Sequence, residues 1–409
     1  MVCELVGPEL PYPRGGAKSR IVARIRPNAQ GSDALPIPAI AAAPPPCNAL
    51  PMPLPTLFEH WMHEVLGADV PEETEATCES CVMCDGGDDA SALSIRFDPA
   101  TKCCTYTPSI PNFLVGRILA SEGDRVAQHG RRTLLERLKD PDTNPLSVDC
   151  PRDRRILYVH RAGDEFGRSP QLRCPHYIDG ACGVWQNRTA NCATWYCKHT
   201  RGAGGQRAWS GMRRLLQEVE HQLSLWCAMQ LGFRASALWP LVTPEPTESS
   251  TPVPGAPLRW PPDWCGGWGD WQGQEADFYL QCAAAVEPLT WAAVRDICGC
   301  TTIVLEELTR ELFMPLLHPS PVPAQLTVGP FEVARVSHHA LHAVTYSDYD
   351  PVEVPHDLLA LLSQFDGRPT DEVLARFREE TGNEVGAEVL RKLVDYDVLV
   401  PSDPHVVCR

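Results

Sequence analysis

A mixed fold, mainly α-helical with small β elements, is what this sequence predicts: a loop-rich cysteine domain followed by a winged-helix-like unit at the C-terminal end. Three observations carry that expectation. Apolar residues recur at three- and four-residue spacing through several long segments, as in Trp209, Met212, Leu216, Val219, Leu223, Trp226 and Met229,. Strand-like runs are short and few,. Nine of the 18 cysteines crowd into two turn-rich windows. With 44% hydrophobic and 22% charged residues, a chain of 409 residues can bury cores for two or three domains,.

Residues 1–55 are dominated by Pro, Ala and Gly and read as a disordered leader, with too little apolar area to offset ordering,. The cysteine-rich domain is expected at 56–236. Thr56 begins a helix carrying Leu57, Phe58, Trp61, Met62, Val65 and Leu66, and Gly67 ends it,. Asn112 caps a helix through Phe113, Val115, Ile118 and Leu119, and a further helix runs from about Val126 to Leu138. Ile156–Val159 reads as a strand,. Ala208 to Leu231 is the clearest helix, stopped by Gly232,.

A Pro-rich stretch at 237–263 reads as a linker,. The segment 264–350 is expected to hold helices at Trp271–Val286, Trp291–Ile297 (capped by Thr290) and Thr302–Phe313. A hairpin of Ala324–Val336 with Ala340–Tyr346 then follows. Residues 351–409 give helix Val354–Leu362, the turn Phe365–Pro369, helix Asp371–Glu379, helix Val385–Val394 and strand Val398–Val400, the order of a winged-helix-like unit,.

The cysteines are the functional signal. Cys78, Cys81 and Cys84 repeat every third residue and are followed by the adjacent pair Cys103 and Cys104; Cys174, Cys182, Cys192 and Cys197 make the second window. Two residues between thiolates let the backbone turn around one ion, so all nine are candidate metal ligands. The alternatives are structural zinc and an iron–sulfur cluster. Iron–sulfur is placed first because C-x2-C-x2-C with a distant Cys-Pro is similar to the bacterial ferredoxin run, although Asp88 stands where that run has its fourth cysteine,. His176 and His199 flank Cys174 and Cys197; they read as capping or solvent-facing rings, or as completing mixed shells. Cys3, Cys47, Cys150, Cys227, Cys265, Cys282, Cys298, Cys300 and Cys408 lack ligand spacing.

These residues resemble the zinc- or iron-chelating CxxCxxCC family of YkgJ-like proteins, over about 78–197. Cys78, Cys81 and Cys84 match its opening, and Cys174, Cys182, Cys192 and Cys197 match its second half. The pair Cys103-Cys104 is displaced by the insertion Asp85–Lys102, and Thr189 stands where the family has Pro. The resemblance implies chelation by these cysteines and supplies no reaction. The displacement leaves open whether Cys84 or one member of the pair is a spectator.

Lys198, His199 and Arg201 form a basic exit from the last cysteine, read as a helix-entry loop or as an anion site near a metal. His338, His339 and His342 sit at the expected hairpin tip. No phosphate loop, nucleophile elbow or H-E-x-x-H is present,. A net charge of −16 disfavours nucleic acid, and residues 351–409 carry six basic side chains against twelve acidic ones, the wrong balance for phosphate,. That unit resembles the small peptide-recognition domains of modified-peptide pathways, which implies a protein or peptide partner. No run approaches the roughly 20 apolar residues of a membrane span. Without an export signal the thiols are expected in a reducing cytoplasm. Three functions fit: a metal-binding protein, an iron–sulfur or iron-dependent redox or modifying enzyme served by the C-terminal unit, and a protein-binding adaptor with a structural zinc.

Overall fold

Helix α1 (Thr56–Leu66) opens the residues described by this computed structural model, which are 54–76, 78, 81–84, 95–140, 143–242, 264, 266–318 and 321–402. The fold is mixed and mainly helical, as expected. The α1 stripe of Leu57, Phe58, Trp61, Met62 and Val65 is buried, and Gly67 closes the helix at φ 65° in the left-handed conformation. All of the leader except Leu54 and Pro55 lies outside the described residues.

Strand β1 (Ile110–Pro111) leads into α2 (Asn112–Ala120) and α3 (Arg125–Arg137). With β2 (Thr143–Asn144) and β3 (Ser147–Val148) it makes a small antiparallel sheet in the order β1-β3-β2. Helix α4 (Arg152–Glu165) overturns the strand expected at Ile156–Val159. Four apolar residues do not discriminate between periods. Here the run is only partly buried, Val159 is 49% exposed, and the helix-forming residues on either side carry the local pattern through it.

Strands β4 (Tyr177–Ile178) and β5 (Ala181–Cys182) form a hairpin, followed by α5 (Ala190–Thr194), the 29-residue α6 (Gly202–Gln230) and α7 (Ala235–Val242). Helix α7 occupies the first residues of the expected linker, with Leu238 buried; residues 243–263 lie outside the described residues. Then come α8 (Glu275–Val286), α9 (Trp291–Cys298) and α10 (Cys300–Leu317). These return to the first helices: α2 packs on α8, and α6 on α9 and α10. Contact between α2 and α8 is backbone to backbone, since a Cβ on Gly116 would stand 1.9 Å from the Tyr279 carbonyl oxygen. Trp61 Nε1 donates to the Leu289 carbonyl (2.9 Å) and Arg310 Nε to that of Val65 (2.7 Å). One buried cluster therefore runs from Leu54 to Phe313 and takes in Tyr349.

A second buried cluster runs from Leu326 to Leu399. Its elements are β6 (Gln325–Val328), β7 (Glu332–Val336), β8 (Ala340–Val344), β9 (Val352–Pro355), α11 (His356–Leu362), β10 (Asp366–Pro369), α12 (Thr370–Thr381), α13 (Ala387–Asp395) and β11 (Leu399–Pro401). Two antiparallel sheets result, β7-β8-β9 and β10-β6-β11. The strand expected over Ala324–Val336 is broken at Gly329-Pro330, because the backbone of Gly329 passes Asp397 so closely that a Cβ would lie 2.1 Å from its carbonyl oxygen. Val352–Pro355 is strand where a helix start was expected, Pro355 marking the change. Most of the expected turn Phe365–Pro369 is instead strand β10, paired with β6. Among the described residues no helix is long and apolar enough to cross a membrane.

Candidate metal centre

Each cysteine segment is shaped by short-range hydrogen bonds that fold it back on itself. The Cys84 N–H donates to the Cys81 carbonyl (2.8 Å), and buried Met83 anchors this turn, its carbonyl accepting from Phe97 N–H at 3.0 Å. Around Cys103 and Cys104, the Asp98 carbonyl accepts from the N–H groups of Thr101 (2.9 Å) and Lys102 (2.7 Å), while Lys102 adopts φ 48°. The ammonium of Lys102 donates to the Cys78 carbonyl, tying the first turn to the second. The two windows meet directly: Cys174 N–H donates to the Cys104 carbonyl at 2.8 Å.

Cys182 is presented by the β4–β5 hairpin, where Tyr177 pairs with Cys182. Asp179 and Gly180 form its two-residue loop at φ 50° and 83°, the conformation that an Asp-Gly pair supplies for a type I′ turn,. Gly183 then packs on α3 so tightly that a Cβ on Gly130 would stand 2.0 Å from the Gly183 oxygen. Cys192 sits in α5, whose first N–H, from Ala190, donates to Glu220 Oε1 at 2.7 Å.

The thiols of all nine candidate ligands are brought into one neighbourhood. Cys78 and Cys103, Cys103 and Cys104, and Cys81 and Cys84 are hydrogen-bonded pairs. Cys174, Cys182 and Cys192 influence one another electrostatically, as Cys197 does with Cys81 and Cys78. Burial is the first cause holding the thiols of Cys174, Cys182, Cys192 and Cys197 up, Cys192 to about 12. Opposing it, the N–H of His176 donates to the Cys174 sulfur and that of Val184 to Cys182, each favouring thiolate,. All fourteen described cysteines are free. The sulfurs associate pairwise: among the described residues, no group of three or more His, Cys, Asp and Glu side chains stands in an arrangement that holds a metal ion.

Arg188 is a buried cation of this assembly. It is 3% exposed and its guanidinium lies 3.5 Å over the Trp185 ring. Burial lowers its proton affinity, and charge on Cys182, Tyr196, Cys78 and Cys192 acts the other way. Thiol spacing alone does not mark Arg188.

The two flanking histidines are buried. His176 is held near pKa 3 by burial and then by Arg137, His129 and Arg154, and neither ring nitrogen has a hydrogen-bond partner. His199 is likewise near 3, chiefly through burial, its ring against Tyr196 and Tyr346. His342 lies on β8, while His338 and His339 form the hairpin turn, their rings against each other.

The basic exit is a joint between the two buried clusters. Arg201 makes a two-pronged pair with Asp395 (2.6 and 3.0 Å), and Arg207 another with Asp397 (2.6 and 3.2 Å). Thr200 N–H donates to Glu73 Oε2 (2.6 Å), and His199 N–H to Asp350 Oδ2 (3.4 Å). Glu73 also accepts from Trp209 Nε1 (2.6 Å) and Asp350 from the Tyr346 hydroxyl. Burial raises the pKa of both acids. No sequence signal marks them, because isolated carboxylates read as solvated charge.

Glu220 gives a testable pH dependence. Burial pushes it up to about 8, against the pull of the Ala190 N–H. The folded chain therefore binds the extra proton across the interval where the unfolded chain has lost it. Stability tied to Glu220 is complete below the usual carboxylate range and declines as pH rises towards 8. Glu220→Gln, which keeps an acceptor for Ala190, should flatten the fall in thermal midpoint between about pH 5 and about pH 9. Parallel profiles for the two proteins would refute this.

No family model matches the chain, and neither a curated protein nor a solved structure matches it.

Proposed function

We propose that this chain is a metal-binding protein in which Cys78, Cys81, Cys84, Cys103, Cys104, Cys174, Cys182, Cys192 and Cys197 supply the ligands for iron, as an iron–sulfur cluster, or for zinc. The observation carrying this reading is that nine free thiols sit in turns that backbone hydrogen bonds tie together, the Cys174 N–H to Cys104 carbonyl bond joining the two windows,. The donor set is all sulfur and suits zinc or iron–sulfur ligation. Bound metal would hold a loop-rich region together, since such sites contribute binding energy to folding. The resemblance to the YkgJ-like proteins points the same way.

The same reading assigns the C-terminal unit to a protein or peptide partner and not to nucleic acid, from its acidic balance and from β7, which lies at a sheet edge with Val333 and Val336 exposed,. Free thiols in this number favour a reducing, cytoplasmic setting,.

Metal and acid-labile sulfide, measured on full-length protein purified without oxygen, test the proposal. Iron with sulfide and visible colour is expected for a cluster, colourless protein with zinc for closed sites. Cys192→Ser should lower the metal content, and Cys300→Ser, at an exposed thiol, should not. Protein free of both metals, or equal loss in both variants, would refute the ligand assignment.

A further inference from the structure

We infer that the cavity between α2 and α8 binds a small amphipathic carboxylic acid, its carboxylate on the Arg117 guanidinium and its apolar body along one face of α8. The site lies outside the cysteine windows and does not depend on the metal-binding reading.

Helix spacing builds the cavity. Leu280, Ala283, Ala284 and Glu287 follow at intervals of three and four residues and share one face of α8, whose last turn Glu287 caps in helical conformation,. Arg117 and Ala120, three residues apart, line the facing side of α2. Gly116 and the Tyr279 carbonyl bring the two helices to backbone contact. Beside that contact the facing side chains are alanines, too short to fill the space. An open cavity of about 530 Å3 remains, within the range of small-molecule sites,.

Arg117 forms its polar end. The side chain is 16% exposed, and Nε donates to Asn187 Oδ1 at 3.0 Å, which fixes the plane of the guanidinium. Nη1 donates to Glu287, and among the described residues nothing accepts from Nη2. The outer fork therefore holds a carboxylate in this structure, and a replaceable one, since the Glu287 side chain is 65% exposed. Such a half-solvated pair contributes little, so a ligand carboxylate exchanges with it readily. The ligand can also take both outer nitrogens in the two-pronged arrangement. Burial lowers the proton affinity of Arg117, as expected for a cation that water screens poorly,. Helix α1 starts at Thr56 on the same cavity without a side-chain cap, and its positive end favours the same charge,.

The alanine face sets the rest of the ligand. Leu280, Ala284 and Ala120 are exposed, so a hydrocarbon tail laid along them takes apolar surface out of water,. Glu287 has no such tail, and neither has a bare anion. A carboxylate with an aliphatic body therefore displaces Glu287 where acetate or phosphate does not. An ammonium on the same tail meets Arg117 as a like charge.

Calorimetric titration of the full-length chain with octanoate tests the site, with octylamine and inorganic phosphate as comparison probes. One octanoate per chain is expected, with octylamine and phosphate much weaker. Glu287→Ala, which vacates the fork, should tighten octanoate binding about threefold, the scale of a weak exposed pair. Arg117→Met, which keeps the apolar stem, should weaken it about tenfold or more. Ala284→Phe, at an exposed position, should fill the cavity and abolish binding with an unchanged thermal midpoint. Glu287 and Ala284 are both exposed, so these two variants decide the matter even where Arg117→Met fails to fold. Octylamine or phosphate binding as tightly as octanoate, weaker binding by Glu287→Ala, full binding by Ala284→Phe, or none by wild type would overturn the assignment. None of these positions is a cysteine, so metal and sulfide content of the same samples reports on the metal reading separately.

Discussion

Alanine in place of Gly130 is expected to destabilise the chain by about 3 kcal/mol or more, at the upper end of overpacking costs. Its Cβ would stand 2.0 Å from the Gly183 oxygen and 2.4 Å from its carbonyl carbon. Both are backbone atoms of the passage that follows Cys182, and no rotamer change relieves the clash, so α3 and the β4–β5 hairpin must part. Urea unfolding should show the loss, and on the metal reading the variant should also retain less metal. Gly163 is the control: it lies inside α4 with nothing near its Cβ position. Gly163→Ala should be neutral, or stabilising by roughly 0.5–1 kcal/mol. Equal stabilities for the two variants would show that the α3–hairpin contact is not close.

Tyr349→Ala should have the second large effect, about 3–5 kcal/mol, the usual cost of truncating a buried aromatic side chain. Tyr349 is 3% exposed and lies in the loop between β8 and β9, yet its ring packs against Phe97 (5.5 Å), Trp195 (6.1 Å) and Phe166 (6.3 Å) beside the cysteine segments. It therefore belongs by chain to the second buried cluster and by packing to the first. With the ring gone, the joint keeps the His199 contacts with Asp350 and Tyr346 and the Arg201–Asp395 and Arg207–Asp397 pairs, the latter partly solvated and individually weak,. Unfolding in urea followed by near-ultraviolet circular dichroism should show the loss of stability and earlier release of the C-terminal unit. An unchanged midpoint would mean that the two clusters are held together elsewhere.

How much was legible in the sequence depends on the range of the interaction. Helices α1 and α6 could be read because their stripes repeat along one face and glycine follows each of them. Helix α4 could not, since its apolar core is four residues long. Strand β10, Asp-Gly-Arg-Pro, has no alternation to read; it is a strand because β6 lies beside it, and β6 itself is made by partners from 366–369 and 399–401. In the candidate site, thiol spacing named the nine cysteines, and the Asp179-Gly180 pair was an available hairpin signal that went unused. What no spacing reveals is the Cys174–Cys104 hydrogen bond joining the two windows, or the burial of Arg188, Glu73, Asp350 and Glu220. Those depend on which surfaces meet, and charge patterns alone describe them as solvated.

The return of α8–α10 to the first helices has a consequence for biosynthesis. Trp61 donates to Leu289, Arg310 donates to Val65, and α9 and α10 pack on α1, so this part of the cover of α1 arrives only after nearly 250 residues more have been added. At about 5–20 residues per second, that is on the order of ten to fifty seconds in which Phe58, Trp61 and Met62 remain open on the ribosome. The nascent chain is therefore a natural client for holding chaperones during that interval, and its window of vulnerability to aggregation closes when α10 arrives.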